Sequence, residues 1–226
     1  PAPTDADESP DVLFARRREK AERMREAGGE PYAYSYAPTH SAAALAVEYA
    51  KLEDGAEDES AEVAVSGRLL TKRVFGKLAF FTVQDASGTV QLYLEKKRLG
   101  AAFKEFLEST DGGDIVGAKG APKRTNKGEL SVAASEVTLL TKALRPLPDK
   151  WQGLTDTNKR YRQRYLDMIS TPAVRATFAR RAKITSYLRS QLDGTGFLEI
   201  ETPSLHGVAG GADARPFETF HNALGL

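Results

Sequence analysis

The pattern of hydrophobic and polar positions divides the chain into a helical start, a central part rich in β-formers and a helical end. In the central part, apolar and polar residues alternate or β-formers cluster, which is typical of strands. The five predicted strands are 62–73, 78–84, 89–94, 114–119 and 129–141. A helix-like segment at 99–109 separates the third strand from the fourth. The sequence therefore predicts a small sheet interrupted by one helix.

This order of elements matches one known architecture. Three strands, a helix and two further strands in about 80 residues form the five-stranded OB barrel, which binds oligonucleotides on its second and third strands. With Asp85–Gly88 as the turn, residue 81 lies opposite 92 and residue 83 opposite 90. Both pairs are apolar, so this face is predicted to be core.

The other face of the same two strands suggests a binding surface. It carries Phe80, Thr82, Gln91 and Tyr93, a mixture of aromatic and amide groups that we expect to point outward. Bases of single-stranded nucleic acid stack on aromatic rings, and amides bind base edges. Phe80 and Gln91 are therefore candidate base contacts. The alternative is that Phe80 or Tyr93 packs against the N-terminal arm.

A basic helix is predicted near the start of the chain. Ser9, Pro10 and Asp11 form a helix-start signal, and Gly28-Gly29 ends the helix, which gives a range of 10–27. Its apolar stripe is thin, so we expect it to rest against a partner or RNA instead of joining the core. Three consecutive cations could contact a phosphate backbone, or form only a solvated face: Arg16, Arg17 and Arg18.

Less regular segments flank the predicted barrel. A second helix is expected at about 41–52, and the acidic run EDGAEDES after it is interpreted as a solvated hinge. Two prolines and polar residues indicate a linker at 145–172, whose run RYRQR could touch phosphates or bridge two domains. A long helix is predicted at 173–193, followed by a strand, FLEIETP, that stops at Pro203.

Composition and charge narrow the possible functions. The chain has 226 residues, 41% of them hydrophobic, and no cysteine, which excludes a disulfide scaffold, a thiolate nucleophile and a cysteine-ligated zinc site. Its three histidines are far apart in sequence, and no stretch is long and apolar enough for a membrane span. The net charge of +1 conceals an acidic first 60 residues and a basic remainder. We expect no metal site and no membrane partner.

Six sequence runs, in order, resemble class II lysine–tRNA ligases of the bacterial and organellar type. The resemblance extends from about Leu13 to the last residue. Each run alone is a weak signal, but six in family order identify the family. The runs are RRREKAERMREAGGEPY, GDIVGAKGAPKRTNKGELS, TKALRPLPDKWQGL, KRYRQRYLDMI, GFLEIETP and GGADARPF.

The resemblance implies an α+β fold with four parts. These are an N-terminal helical arm, a five-stranded OB-fold barrel that binds the anticodon, a linker, and the truncated beginning of a class II catalytic domain with motif 1 at a dimer interface. The corresponding ranges are 1–60, 61–144, 145–172 and 173–226. The implied anticodon contacts are Arg73, Phe80, Gln91 and Glu129. Gly210 and Gly211 resemble a loop of the amino-acid pocket.

The implied activity is the ATP-dependent attachment of lysine to its tRNA, with Mg²⁺ as a cofactor of the catalytic part that is missing from this chain. The chain contains neither the second nor the third class II motif, so we expect it to be inactive alone and to supply no catalytic residue. The expected partners are lysine tRNA, lysine, ATP and a second copy of the chain, in the cytoplasm or an organelle stroma or matrix. The alternatives are an aspartate or asparagine tRNA ligase, a non-catalytic tRNA-binding or assembly protein, and a paralogue that modifies an elongation factor.

Overall fold

The computed structural model describes residues 9–148, 153–205, 213 and 215–225. The chain separates into two compact units, Pro1–Ser170 and Thr171–Leu226, and each is described by itself. Among the described residues, no helix combines the length and the apolar character needed to cross a membrane.

The first unit is built on a closed five-stranded barrel with strand order β1-β2-β3-β5-β4. β1 pairs antiparallel with both β2 and β4, β4 pairs antiparallel with β5, and β3 closes the barrel by pairing parallel with β5. The strands are β1 (Val63–Phe75), β2 (Leu78–Gln84), β3 (Thr89–Glu95), β4 (Ile115–Arg124) and β5 (Leu130–Thr141). The predicted OB barrel is confirmed.

The barrel core follows the predicted register of β2 and β3. Phe81 lies opposite Leu92, and Val83 opposite Val90. All four side chains are buried, and the Phe81 ring stacks on Phe106 with centroids 5.6 Å apart. Burying a side chain of this size stabilises the fold by about 1.5–3 kcal/mol. Phe106 comes from α4 (Ala101–Ser109), which follows the short α3 (Lys96–Leu99).

The first helix, α1 (Pro10–Glu26), has the predicted start and end but a different environment. The Val12 amide donates to the Ser9 hydroxyl oxygen, and Gly28 after the helix has a positive φ of 81°. Leu13, Arg17 and Ala21 lie at positions four apart, so they share one face, and all three are buried. The prediction that this helix stays out of the core was wrong, because it packs on the barrel through that face.

Charged groups that are buried or partly buried join α1 to the barrel. Lys20 Nζ lies 2.6 Å from Asp111 Oδ1, and Lys142 Nζ lies 2.5 Å from Asp111 Oδ2 and 2.7 Å from Asp114 Oδ2. Lys142 is only 3% exposed. Burial alone would raise the pKa of Asp111, but hydrogen bonds from Lys142 and Lys20 hold this pKa below its ordinary value. We call these four residues the ion cluster.

The segment between α1 and the barrel is more tightly held than predicted. The helix α2 (Ala42–Glu48) is shorter than expected, and the Asp85 carboxylate accepts a hydrogen bond from the Ala42 amide at 2.7 Å. In the following acidic run, Glu57 forms ion pairs with Arg98 at 2.5 Å and with Lys123 at 2.9 Å. The interpretation of this run as a solvated hinge is therefore wrong at Glu57, which attaches the run to the barrel.

The predicted linker is partly helical. Two short helices, α5 (Thr157–Arg162) and α6 (Arg164–Ser170), are joined by the fully buried Asp167. This carboxylate accepts from Arg160 Nε at 3.1 Å and from Arg164 Nη1 at 2.6 Å. Two arginines of the RYRQR run therefore hold their own helices together.

The second unit is described from α7 (Pro172–Gly194) onward. The predicted strand at 197–203 is wrong, since these residues take no regular structure. The physical reason is that a strand needs a neighbour for its backbone hydrogen bonds, and the described part of this unit contains no other strand. Phe197, Leu198 and Ile200 are exposed.

Candidate nucleic-acid interface

One groove on the barrel brings together four residues that the resemblance implied. It has a volume of about 550 Å³ and lies over β2 and β3, beside the turn that joins β4 to β5. Arg73, Phe80, Gln91 and Glu129 all line this groove, together with Phe75 and Tyr93. We call it the anticodon-side groove, after the family role that the resemblance implied.

The strand register explains why these side chains share one surface. Arg73 of β1 lies opposite Phe80 of β2, and Phe80 in turn lies opposite Tyr93 of β3. Gln91 precedes Tyr93 by two residues, so both point to the same face of the sheet. Gln91 itself lies opposite Ser131 of β5. The groove therefore follows from the same alternation that buries Phe81.

The Phe80 ring lies in the middle of this surface and is half-buried. Its centroid is 5.4 Å from that of Tyr93, with the planes inclined by 77°, and the Arg73 guanidinium lies 6.0 Å from the Phe80 centroid. These contacts all come from barrel strands. The alternative that the N-terminal arm covers this ring is not seen in the described residues. Phe80 is thus held edge-on by Tyr93 and remains partly open to solvent.

Gln91 lies deeper than the sequence suggested. It is only 6% exposed, and its Oε1 accepts a hydrogen bond from the Ser131 hydroxyl at 3.0 Å. The expectation that this whole face points into solvent was therefore wrong for Gln91, because β5 packs beside β3 and covers the stem of the side chain. The bond to Ser131 fixes the amide and leaves its nitrogen as the group that can donate to a ligand.

A chain of charged groups holds Tyr93 in place. The Tyr93 hydroxyl donates to Glu95 Oε1 at 3.2 Å, and Lys123 Nζ lies 4.9 Å from the ring centroid. Burial raises the pKa of Tyr93, and the neighbouring Glu95 carboxylate raises it further, so the phenol stays neutral. Lys123 is in turn held by Glu57. Burial alone would raise the pKa of Glu57, but hydrogen bonds from Lys123 and Arg98 lower this pKa overall. Tyr93 is a fixed wall of the groove.

Glu129 stands at the end of the turn that joins β4 to β5. Its side chain is exposed, and its backbone amide donates to the Thr125 hydroxyl at 3.1 Å. Arg124 fixes this turn by donating to the carbonyl oxygens of Leu52 at 2.7 Å and Gly128 at 2.8 Å. Sequence reasoning missed Arg124, because an arginine in a strand gives no signal that carbonyl groups distant in sequence will surround it.

The three consecutive arginines of α1, at positions 16–18, have different environments. Arg17 is 1% exposed, and its Nη1 donates to the carbonyl oxygens of Gly112 and Ala143, both at 3.0 Å. Arg17 therefore holds the helix to the barrel, and the prediction that it contacts a phosphate backbone was wrong. Arg18 is exposed and pairs with Glu22 one helical turn away, at 3.1 Å. Arg16 is partly buried.

Two expectations concern groups outside this groove. Gly210 and Gly211, which resembled an amino-acid pocket, lie outside the described residues. In the part of the chain that the structure describes, no three histidine, aspartate or glutamate side chains are grouped so that they could hold a metal ion. These residues therefore offer no group of three such ligands to the Mg²⁺ that the family implies.

Comparisons with known proteins match the two parts of the chain separately. Residues 63–140 match the OB-fold nucleic acid binding domain, and residues 156–225 match the tRNA synthetases of class II (D, K and N). The chain is 55% identical over 224 residues to the lysine–tRNA ligase of Nostoc sp.; this match covers 96% of the chain and 40% of the relative. It is 52% identical over 212 residues to the chloroplastic/mitochondrial lysine–tRNA ligase of Arabidopsis thaliana; this match covers 92% of the chain and 35% of the relative.

A third relative, the lysine–tRNA ligase of Thermosynechococcus vestitus, is 55% identical over 217 residues, with 94% of this chain and 43% of the relative covered. The chain thus spans roughly two fifths of the length of the curated relatives that it matches.

Proposed function

Because the chain is a homologue of the N-terminal portion of lysine–tRNA ligases, we propose that it takes part in the ATP-dependent attachment of lysine to its tRNA. Its share in this reaction is to select the tRNA: the barrel binds the U-rich anticodon in the anticodon-side groove. The observation that carries this proposal is that Arg73, Phe80, Gln91 and Glu129 line one groove although they come from four different strands and turns.

Each of the four residues has a chemical role that suits its position. Phe80 offers a ring on which a base can stack, an interaction worth about 1–3 kcal/mol. The amide of Gln91, oriented by Ser131, donates to a carbonyl oxygen on the edge of a uridine. Arg73 contacts a base or a phosphate, and the exposed carboxylate of Glu129 accepts a hydrogen bond from a base.

The helix α1 adds contacts that do not depend on sequence. Arg18 is exposed and Arg16 is partly exposed, and both lie next to the buried Arg17 on the same helix. Cations of this kind bind the phosphate backbone, and such binding weakens as salt increases. We assign Arg16 and Arg18 to this role, without Arg17.

The complete reaction has two steps in the family that this chain resembles. The carboxylate of lysine attacks the α-phosphate of ATP and displaces pyrophosphate, and a hydroxyl of the 3′-terminal adenosine of the tRNA then attacks the lysyl carbonyl and releases AMP. Mg²⁺ supplies positive charge beside the phosphates when it is bound. We propose that Gly210 and Gly211 line the amino-acid pocket, that the active protein is a homodimer, and that it works in the cytoplasm or in an organelle stroma or matrix.

The binding proposal is tested with the 226-residue chain and two transcripts of lysine tRNA. One transcript carries its own anticodon, and the other carries cytidines in place of the anticodon uridines. We expect the chain to prefer the uridine form by about 10-fold or more, since each lost base contact costs about 1–3 kcal/mol. Equal affinity for the two transcripts would contradict an anticodon role. Equal affinity for lysine and aspartate tRNAs would contradict the choice of lysine tRNA.

A second assay tests the part of the reaction assigned to the whole protein. We expect the 226-residue chain to show no lysine-dependent exchange between ATP and pyrophosphate, because the second and third class II motifs are not in its sequence. Exchange activity in this assay would contradict the proposal that this chain selects the tRNA and cannot activate lysine alone.

A further inference from the structure

Phe75 is an aromatic residue at the end of a strand that the barrel leaves largely uncovered. It is the last residue of β1, it lies opposite Leu78 of β2, and Gly76 makes the turn between them with a φ of 62°. Its side chain is 63% exposed. Burying a phenyl ring would stabilise the fold by about 1.5–3 kcal/mol, so an exposed ring forgoes that gain.

The strand pattern places this ring beside the groove and not on the outer wall. Arg73 and Phe75 are two residues apart on β1, so they share a face, and this face carries Phe80 across the strand pair. Phe75 accordingly lines the anticodon-side groove. Val74, between them, points to the other side and lies opposite the buried Ala79. Of these two neighbouring residues, Phe75 lines the groove and Val74 does not.

The geometry of the two phenylalanines fixes how they could take nucleic-acid bases. The ring centroids of Phe75 and Phe80 are 6.1 Å apart, and their planes are inclined by 70°. A base stacked on one ring therefore cannot stack on the other. Consecutive bases in a stacked strand are about 3.4 Å apart, so two bases on these rings must be splayed from one another. Splayed bases are typical of single-stranded RNA loops bound to proteins.

We propose that Phe75 is a second stacking residue, which takes the anticodon-loop base that neighbours the base held by Phe80. This inference rests on the proposed function of the groove. Lys127, whose side chain is exposed, lines the same groove, and its cation favours a phosphate chain there. A phenyl ring has no hydrogen-bonding group, so Phe75 contributes affinity without base identity. In this it differs from Gln91, whose amide distinguishes bases.

The test measures binding of the 226-residue chain to a labelled RNA hairpin that carries the anticodon loop of lysine tRNA. Phe75→Ala should weaken binding by about 5- to 150-fold, the loss that corresponds to one stacked base. Phe75→Trp should stay within about threefold of the original protein, because it keeps an aromatic face. Val74→Ala is the matched control from the same hairpin and should leave the affinity unchanged.

A set of hairpins with single abasic positions identifies the partner of the ring. Against the hairpin that lacks the base on Phe75, Phe75→Ala should cause no further loss, whereas it should still weaken binding to the others. The same loss against every abasic hairpin would overturn the proposal, and so would a fall in melting temperature as large as that of Phe81→Ala.

The outcomes for Phe75 and for the groove as a whole can be separated. If Phe80→Ala weakens binding and Phe75→Ala does not, the groove keeps its proposed function and the inference about Phe75 fails. If neither substitution changes the affinity, or if the chain does not bind the hairpin, the proposed function fails as well.

Discussion

The anticodon-side groove and the ion cluster use similar residues in opposite ways. In the groove, Arg73 and Glu129 are exposed, and the aromatic rings are only partly covered. In the ion cluster, the Lys142 side chain is fully buried, and each of its carboxylate partners is at most 9% exposed. Because buried charges are costly unless they are paired, the cluster satisfies its charges internally, and the groove leaves groups free for a ligand.

Residue type alone therefore does not identify a binding residue. Arg17 and Arg18 are adjacent in a basic helix, yet Arg17 donates to carbonyl groups of the barrel and Arg18 is solvent-exposed. The same holds for Phe80 and Phe81, one in the groove and one in the core. Variants of such neighbours can separate folding from binding.

The largest expected effect is on the ion cluster. Lys142→Met leaves two buried carboxylates short of a partner, which should lower the free energy of unfolding by about 3–5 kcal/mol. Urea unfolding measures this change. Lys119→Met is the control, since the Lys119–Glu136 pair at 3.2 Å is exposed and should contribute about 1 kcal/mol or less. If the two variants were equally stable, the buried pairs of Lys142 would not stabilise the fold as described.

A pair of neighbouring phenylalanines should give opposite results. Phe81→Ala should lower the free energy of unfolding by about 3–5 kcal/mol, because it opens a cavity in the core. Phe80→Ala should weaken tRNA binding by about 1–3 kcal/mol and hardly change stability. Calorimetry and binding titrations measure the two effects. Equal loss of melting temperature in both variants would mean that the Phe80 ring is structural.

Acid should weaken the ion cluster, because its Asp111 carboxylate becomes protonated. The pKa of Asp111 is held below its ordinary value in the folded protein, so its carboxylate stabilises the fold at neutral pH. This contribution is lost as the pH falls below about 5 and through the pKa of the folded state. Unfolding free energies at pH 7 and at about pH 3 should therefore differ more for the original protein than for Asp111→Asn. An identical pH dependence would contradict the pairing of Asp111.

The smallest effect should come from the exposed face of α1. Arg18→Ala should reduce the slope of log affinity against log salt by about 0.7–0.9, the change expected for one lost phosphate contact. Arg17→Ala should leave that slope unchanged and lower the melting temperature instead. An unchanged slope for Arg18→Ala would remove this helix from the interface.

Much of the barrel could be predicted, because its signals are local. Alternation over β2 and β3, with a turn at Asp85–Gly88, fixed the pairing of Phe81 with Leu92. The position of α1 could not be predicted, because Arg17 is satisfied by carbonyl groups 95 and 126 residues further along the chain. Charge and helical period give no sign of such distant partners.

The candidate site was predicted in part. Alternation selected Phe80 and Gln91, and the family resemblance added Arg73 and Glu129. Phe75 was missed although it lies two residues from Arg73 on β1 and therefore shares its face. The register of β1 with β2 would have revealed this. At 197–203, by contrast, the alternating pattern predicted a strand that does not form, since alternation without a pairing neighbour does not make a strand.

The most direct test of the account is a double-mutant cycle between Gln91 and the anticodon uridines. Binding is measured for the original chain and for Gln91→Met, each with hairpins in which one uridine at a time is replaced by cytidine. At one uridine position, the loss of binding free energy in the doubly changed complex should differ from the sum of the two single losses by about 0.5–3 kcal/mol. The reason is that replacing this uridine removes the base edge that the Gln91 amide binds. Purely additive losses at every uridine would contradict the claim that this groove recognises the anticodon.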